Sequence, residues 1–514
     1  MTRRSSPNRR TPQPARKEPA PSHATAAPFR WPTLGDLLDP RAPYLIPAAL
    51  LLITRIGLAL YIPFAAEDAY ITFRYARNFA NGFGLVFNPG EHVFGFSSPL
   101  WTLWLAVGIK LGAPPVPWAR LSTLALEVVA LVVVTTMLRR AFGNRSAWCF
   151  AFFFAVWPYF GAASVSGMEN QAMIGLMALA AAWCGAKNPL SGLALAALAL
   201  MRPEGMVASA IVAGWARWRD RWIAIGLVGA AVIALAVYFG SPIPQSLIAK
   251  SQIYGTPGPW AGRHWWEWMS PFTLFRFPQI SDTGHLFLLA VVAAPSAWIG
   301  ARALWTERSQ PLASFIAAGL AVWLGYSLLG VAYFWWYLAV PLAALGALAA
   351  VGFPRVSHGR ALEISTGLLV AGLWTVVPNL YLGRAQSEYL GFGRVANFLR
   401  ERAQPGAKVF LEPIGMVGFN APVQIVDEVG LVSPQVAARR MQGPGWYADV
   451  VSRERPDWLV VRRGVVTGGQ AFAGAGAPFR SAEERAAVFG AYTTEAVADT
   501  VAGANMLLVM SRRR

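Results

Sequence analysis

Long apolar runs separated by short charged segments dominate the hydrophobic pattern of this chain. About eleven such runs occur, and most approach the roughly 20 residues that a helix needs to cross a bilayer. The pair 189–201 and 204–216 is shorter, which predicts tilted helices or a partly embedded hairpin. The pattern indicates a polytopic α-helical membrane protein. The apolar runs lie at residues 43–64, 117–138, 146–162, 170–186, 189–201, 204–216, 222–240, 284–302, 311–330, 335–352 and 361–381.

The pattern changes near residue 385, where short strand-like and helix-like segments begin to alternate. Segments such as AKVFLEP, VQIVDEVG and PDWLVVRR have the apolar character of buried strands. We therefore predict a C-terminal soluble α/β domain over 385–514. Residues 1–41 are rich in Pro, Ser, Ala and Arg and predict a disordered basic tail. Residues 42–384 form the predicted transmembrane domain.

Composition supports the membrane class. The 514 residues are 55% hydrophobic and only 14% charged, against about 25% charged in a typical soluble protein. The mean hydropathy is +0.42. The net charge of +18 reports topology and contact with anionic lipid in a protein of this kind. No motif for reading a nucleic-acid groove is visible, so we expect no nucleic-acid partner.

The distribution of Lys and Arg predicts the orientation. Basic residues cluster in the N-terminal tail and after every second apolar run, which places these segments in the cytoplasm by the positive-inside rule. This assignment requires that Pro99–Gly112 does not cross the membrane, so we expect an interfacial or re-entrant helix there. We predict a bacterial inner (plasma) membrane protein with a cytoplasmic N-terminus, a large first outer loop at 65–116 and an outer C-terminal domain.

The segment EDAYITFRYARNFANGFGLVFNPGEHVFGFSSPLW, in the first outer loop, carries the densest candidate chemistry. Its first two residues, Glu67 and Asp68, either cap a helix or supply a general base for a sugar hydroxyl. Arg74 and Tyr75 follow on the same predicted helix. Arginine suits bidentate phosphate binding, although Arg74 and Arg77 snorkelling as a pair to the headgroups is the alternative.

Further polar residues mark the predicted outer ends of apolar runs. Ser98 precedes a helix, where it caps the N-terminus or helps to hold an anion. Glu169 is either a helix cap or an acceptor for sugar hydroxyls. Arg202 and Glu204 lie between two short runs, where intramembrane charges normally pair with each other. A structural ion pair is therefore the favoured interpretation, with substrate binding as the alternative.

Three candidates lie further along the chain. Lys250 ends the proline-stiffened segment SPIPQSLIAK and is a candidate phosphate ligand. His264 is followed by two tryptophans, whose rings stack on a sugar or anchor the interface. Asp427 is either an ordinary carboxylate in a strand-to-turn segment or a group that reaches the active face. The five histidines and two cysteines show no metal-ligand spacing, so metal dependence stays open.

Together these motifs resemble a known family. The first-loop segment, with SGMEN, MRPEG, SPIPQSLIAK and VDEVGLVSP, is similar to the GT-C superfamily of integral-membrane glycosyltransferases, and within it to the terminal β-(1→2) arabinofuranosyltransferase branch. The resemblance covers about residues 43–435 and implies a polyprenyl-phosphate sugar as donor. It also implies Asp68 as the catalytic base beside Glu67, although many members have Asp-Asp at this place.

The expected function is therefore that of an inverting glycosyltransferase. It would transfer a sugar, with D-arabinofuranose as the expectation from the resemblance, to a cell-envelope glycan or a protein on the outer face of the membrane. A transporter or flippase for a lipid-linked glycan is the alternative, which inverted repeats would favour. An assembly scaffold whose C-terminal domain binds partners is a third interpretation.

Overall fold

The structure, a computed structural model, describes residues 29–253, 294–306, 310–329, 334–357, 374, 389–468, 476–498 and 506–513. These residues are mostly helical and include one small sheet near the C-terminus. The helices of the first half are α1 (Leu34–Leu38), α2 (Leu45–Tyr61), α3 (Glu67–Ala80), α4 (Pro99–Lys110), α5 (Pro115–Val156), α6 (Pro158–Val165), α7 (Asn170–Gly185), α8 (Ser191–Met201), α9 (Pro203–Ala213), α10 (Trp218–Phe239) and α11 (Gln245–Ile253).

The remaining helices of the membrane part are α12 (294–306), α13 (Gln310–Leu329) and α14 (Ala339–Val356). A 3-10 turn at Trp335–Leu338 precedes α14. Four described segments are long and apolar enough to cross a membrane by length and composition. They are Pro115–Val156, Trp218–Phe239, Gln310–Leu329 and Trp336–Val356. With the further apolar helices, they indicate a multi-pass membrane protein.

The predicted total of eleven crossings stays a prediction, because the apolar run 361–381 lies, apart from Trp374, outside the described residues. The run 117–138 falls within α5, and the run 146–162 begins in α5 and continues into α6. The long helix α5 breaks at Gly143, whose φ of +86° is a left-handed conformation open to glycine. A helix also forms at α4, where only 12 residues are too few for a full crossing.

The short runs 189–201 and 204–216 form a tight antiparallel hairpin of α8 and α9. The Ser209 hydroxyl donates to the Leu195 carbonyl across the pair (2.9 Å). Arg202 lies at the tip in an extended conformation (φ −161°, ψ 162°), and Pro203 starts α9 with its fixed φ. The hairpin therefore brings Arg202 to one end of the helical body.

A five-stranded sheet forms in the C-terminal part with the strand order β2-β1-β3-β5-β4. Strand β1 pairs in parallel with β2 and β3, whereas β5 runs antiparallel to β3 and β4. The elements here are α15 (389–402), β1 (Lys408–Leu411), α16 (Ile414–Asn420), β2 (Gln424–Asp427), α17 (Pro434–Arg440), α18 (Trp446–Glu454), β3 (Trp458–Arg462), α19 (Arg463–Thr467), α20 (Ala482–Gly490), β4 (Tyr492–Ala498) and β5 (Leu507–Arg512). This arrangement matches the predicted α/β pattern.

A buried ion pair joins four helices of the membrane part. Arg55 on α2 and Glu127 on α5 are 2% and 0% exposed, and their side chains are 3.1 Å apart. Ser164 and Gln171 donate to the same carboxylate (2.5 and 2.7 Å), and Arg55 also donates to the Phe154 carbonyl (3.0 Å). A buried charge needs such partners, so this network holds α2, α5, α6 and α7 together.

Helix α3 connects the membrane part to the sheet through Arg74. The Arg74 guanidinium is 4% exposed and donates to the carbonyls of Phe87 (2.7 Å), Gly418 (2.7 Å) and Val423 (2.8 Å). Burial lowers the pKa of Arg74 to about 9. Because the segment 65–116 supplies one carbonyl and the C-terminal part supplies two, Arg74 holds these two parts of the structure together.

Replacement of Arg74 should therefore destabilise the docking. We expect Arg74→Ala to lower the free energy of unfolding by about 3 kcal/mol, because several buried carbonyls lose their donor. Thermal unfolding of the detergent-purified protein measures this. The exposed Arg453→Ala variant is the matched control, and equal melting temperatures for the two variants would contradict the role of Arg74.

Candidate functional site

A small cavity lies where the segment 65–116, the tip of the α8–α9 hairpin and helix α11 meet the C-terminal part. Five residues predicted from the sequence line it together. Three of them come from the predicted outer loops and two from the ends of apolar runs. They are Asp68, Ser98, Glu169, Arg202 and Lys250. The fold therefore collects candidates that lie up to about 180 residues apart.

Asp68 and Lys250 face each other in this cavity. The Asp68 Oδ2 and the Lys250 Nζ are 3.8 Å apart, and the side chains are 27% and 25% exposed. This separation exceeds a hydrogen bond, so both groups keep bonding capacity for a ligand. The pKa of Lys250 is raised overall: burial lowers it, but the nearby Tyr337 and Asp68 outweigh burial. Lys250 therefore stays cationic.

Arg202 is held between two carboxylates. Its Nε donates to Glu204 and its Nη1 donates to Glu169. The Tyr326 hydroxyl also donates to the Glu204 carboxylate (2.6 Å). The predicted Arg202–Glu204 ion pair is thus present, and Glu169 joins it. Within the described part of the chain, Arg202 Nη2 donates no hydrogen bond. A guanidinium held in place with one nitrogen left to donate suits an anionic ligand.

Glu67 faces the C-terminal part instead of the cavity. Its carboxylate accepts the amide N–H groups of Gly415 and Met416 (the latter at 3.1 Å) at the start of α16. Burial, and then the charge of Asp68, raises the pKa of Glu67 well above its ordinary value. Successive residues of a helix point about 100° apart, so the two neighbouring acids serve different surfaces.

The structure does not bring Arg74 or Tyr75 to the cavity. Arg74 is used in the docking contacts described above. The Tyr75 hydroxyl donates to the Val93 carbonyl (2.7 Å) and accepts the Gly95 N–H (3.0 Å), and burial raises its pKa. Both residues shape the loop that carries Ser98. We therefore leave them out of the proposed phosphate site.

Ser98 and Glu169 occupy the N-cap positions of α4 and α7, but neither side chain makes a capping hydrogen bond. Glu169 pairs with Arg202 instead. Ser98 is 1% exposed and lines the cavity. Both residues thus lie at the predicted N-cap positions. Their side chains, however, face the cavity (Ser98) or the ion pair with Arg202 (Glu169) instead of capping a helix.

Asp427 is a turn carboxylate at the end of β2. It is fully buried and accepts the N–H groups of Val429 (2.8 Å), Leu431 and Val432 (3.1 Å). Burial raises its pKa to about 6, against the opposing effect of these hydrogen bonds. The turn that it stabilises brings Leu431 to the cavity. Asp427 thus affects the cavity only through this turn. The remaining candidate, His264, lies outside the described residues.

Sequence reasoning missed several lining residues. Thr72, Ser246, Trp336 and Tyr337 line the cavity with the predicted set. Thr72 lies four residues after Asp68 and Ser246 four before Lys250, so helical spacing would have placed them on the same faces. Trp336 and Tyr337 belong to the aromatic segment Tyr333–Tyr337, whose position between two apolar runs predicts the same outer side. No group of three or more His, Cys, Asp or Glu in the described ranges is arranged to hold a metal ion.

Sequence comparisons identify only part of the chain. Residues 378–505 match a family profile described as a domain of unknown function (DUF8728), which covers less than half of the chain. No curated protein matches the sequence. The C-terminal part therefore has relatives, but their description carries no activity.

Structural comparisons identify the fold. The crystal structure of ArnT from Cupriavidus metallidurans bound to undecaprenyl phosphate matches with a TM-score of 0.60 and 14% identity, over 91% of this chain and 97% of that chain. The apo oligosaccharyltransferase of Archaeoglobus fulgidus matches with a TM-score of 0.52 and 15% identity, over 82% and 69%. This chain has the fold of the GT-C glycosyltransferases, and the resemblance inferred from its motifs is confirmed at this level.

A third likeness concerns the expected sugar. Arabinofuranosyltransferase AftD from Mycobacteria matches with a TM-score of 0.42 and 17% identity, over 91% of this chain and 41% of that chain. This score is too low to carry an argument about the substrate. The expectation of an arabinofuranosyl donor therefore rests on the sequence motifs alone.

The contact between Glu67 and α16 can be tested by two substitutions. Glu67→Gln keeps an oxygen that accepts the two amides, and the raised pKa of Glu67 means that the neutral side chain costs little. We expect the melting temperature of Glu67→Gln to stay near wild type, whereas Glu67→Ala should lose about 1–2 kcal/mol. Equal stability of Glu67→Ala and wild type in detergent would rule out the contact.

Proposed function

We propose that this protein is an inverting glycosyltransferase that uses a lipid-phosphate sugar as donor on the outer face of the membrane. One observation carries the proposal: the Asp68 carboxylate faces the Lys250 ammonium (3.8 Å) in the same cavity that Arg202 lines. The Arg202 guanidinium is fixed there by Glu169. This pairs a base with cations, as transfer from a phosphate leaving group requires.

In the proposed reaction, the hydroxyl of an acceptor attacks the anomeric carbon of the donor. Asp68 accepts the proton of this hydroxyl as the new carbon–oxygen bond forms. The bond between the anomeric carbon and the phosphate oxygen breaks on the opposite side, and the phosphate leaves with the electron pair. One carboxylate is sufficient, because an inverting transfer has no covalent intermediate and phosphate is a weakly basic leaving group.

The cations of the cavity stabilise the charge that develops on the phosphate. The donor is a phosphodiester with one negative charge, and the departing lipid phosphate gains a second. Lys250 and the Nη2 of Arg202 provide donors for it. Glu169 and Glu204 hold Arg202 in place without neutralising Lys250. Electrostatic stabilisation thus increases as the bond breaks, which is what catalysis needs.

The finer substrate assignment is supported by the motifs and by one relative. The ArnT structure contains undecaprenyl phosphate, which supports a polyprenyl carrier here. The first-loop motif supports D-arabinofuranose as the sugar and a cell-envelope glycan or a protein as the acceptor. Trp336 and Tyr337 add aromatic surface to the cavity, and their rings are held in place by stacking on Phe334 and Tyr326.

Replacing the base should abolish transfer but leave the fold intact. We expect Asp68→Asn to reduce kcat by about 10³-fold, with a normal melting temperature. Transfer from radiolabelled polyprenyl-phospho-arabinose and other lipid-linked sugars, measured in nanodiscs, tests this. Glu67→Gln is the matched control on the neighbouring residue and should stay active. Wild-type rates for Asp68→Asn would exclude it as the base.

Lys250 should contribute to the same reaction by stabilising the charge on the phosphate. We expect Lys250→Ala to reduce kcat/KM by roughly 100-fold, because the developing charge loses its cation. The exposed Lys110→Ala variant, at the end of α4 and outside the cavity lining, provides a cation control. If both lysine variants transfer sugar equally well, the phosphate does not bind where we propose. Lipid flipping without transfer by the wild type would favour a transporter instead.

A further inference from the structure

The N-terminus of helix α11 opens into the catalytic cavity. Three of its first amide groups have carbonyl acceptors: Gln245 N–H donates to Phe94 (2.7 Å), and Leu247 and Ile248 donate to Pro244 (3.0 and 3.3 Å). Over the described ranges, the amide of Ser246 has no such acceptor. A helix leaves its first N–H groups without intrahelical partners, so the Ser246 amide is available to a ligand.

The side chain of Ser246 is unsatisfied as well. Ser246 is 7% exposed and lines the cavity, and its Oγ has no hydrogen-bond partner among the residues that the structure describes. Buried hydroxyls are nearly always hydrogen-bonded in native proteins. An orphaned hydroxyl in a substrate cavity therefore points to a group that is supplied by the substrate.

The helix also aligns Ser246 with Lys250. The two residues are four positions apart on α11, which places them one turn apart on the same face. Both line the cavity. Ser246 thus adds a hydroxyl and an amide donor to the ammonium group of Lys250, and the positive end of the α11 dipole adds to the attraction for an anion.

This end of α11 is anchored from two sides. The Gln245 amide N–H is fixed on the Phe94 carbonyl of the first outer loop, and the Gln245 side chain donates to the Gly430 carbonyl (3.1 Å). Gly430 belongs to the turn that Asp427 stabilises, and its φ of +88° favours glycine. The donors of Ser246 are therefore held in position before a ligand arrives, which lowers the entropic cost of binding.

We propose that the Ser246 hydroxyl and amide form, with Lys250, an anion subsite that binds a non-bridging phosphoryl oxygen of the lipid-linked donor. The inference rests on the proposed function and extends it by one specific residue. Ser246 and Lys250 supply an amide, a hydroxyl and an ammonium donor, a set that suits a phosphoryl oxygen, whereas the Asp68 carboxylate opposite Lys250 is an acceptor and suits a sugar hydroxyl.

The subsite should favour the product-like charge state. When the anomeric carbon–oxygen bond breaks, the phosphate passes from one to two negative charges, and its oxygen accepts stronger hydrogen bonds from Ser246. Loss of the hydroxyl should therefore lower kcat as well as donor affinity. Free polyprenyl phosphate should also inhibit the variant less, and its inhibition constant should rise by at least the factor by which the donor affinity falls.

Binding of undecaprenyl phosphate, with undecaprenol as the uncharged probe, tests the subsite directly. Purified wild-type protein, Ser246→Ala, Ser246→Thr and Ser251→Ala would be titrated in nanodiscs by intrinsic tryptophan fluorescence. Ser251 is an exposed serine on the same helix and is the matched control. We expect about a tenfold higher Kd for the phosphate lipid in Ser246→Ala, near-wild-type Kd values in Ser246→Thr and Ser251→Ala, and no effect of any variant on undecaprenol.

The outcomes separate the subsite from the proposed function. Equal Kd values for wild type and Ser246→Ala would overturn the subsite and leave the proposed function standing. Equal losses in Ser246→Ala and Ser246→Thr would also overturn it, since the hydroxyl would then not be the determinant. No preference of the wild type for the phosphate over the alcohol would overturn the lipid-phosphate donor itself. The unliganded melting temperature of Ser246→Ala should equal or exceed that of wild type.

Discussion

The arrangement of the cavity depends on how helix α3 is held between the membrane helices and the C-terminal part. Glu67 is fixed on the first amides of α16, and Arg74, two turns later, is fixed on carbonyls of the same part. With both contacts made, the helical rotation of about 100° per residue directs Asp68 to the cavity. The position of the proposed base therefore follows from two contacts in which it takes no part.

Charge pairing is the second constraint. Arg202 is 5% exposed and is compensated by Glu169 and Glu204, whereas Lys250 and Asp68 are partly exposed and farther apart. A buried cation without partners would be costly. The tightly paired Arg202 is thus suited to a structural role, and the loosely paired Lys250 and Asp68 are free to exchange partners in the proposed reaction.

Much of the site was predictable because charged residues in an apolar chain are conspicuous. Asp68, Glu169, Arg202 and Lys250 were all candidates, and they meet in one cavity. The roles of Glu67 and Arg74 were not predictable, because their partners are backbone groups more than 300 residues away. Ser246 was missed since a serine is informative only once its burial is known. The α/β pattern of the C-terminal part was visible in its alternating segments, whereas strand order depends on long-range pairing.

The stereochemistry of the product tests the central claim most directly. Wild-type protein in nanodiscs would be given lipid-phosphate sugars of known anomeric configuration together with an acceptor glycan, and the new linkage would be read by NMR. The account predicts transfer with inverted configuration at the anomeric carbon, because a single base activates the acceptor and the phosphate leaves from the opposite face. Retained configuration would contradict it, since retention requires a covalent intermediate or front-face attack.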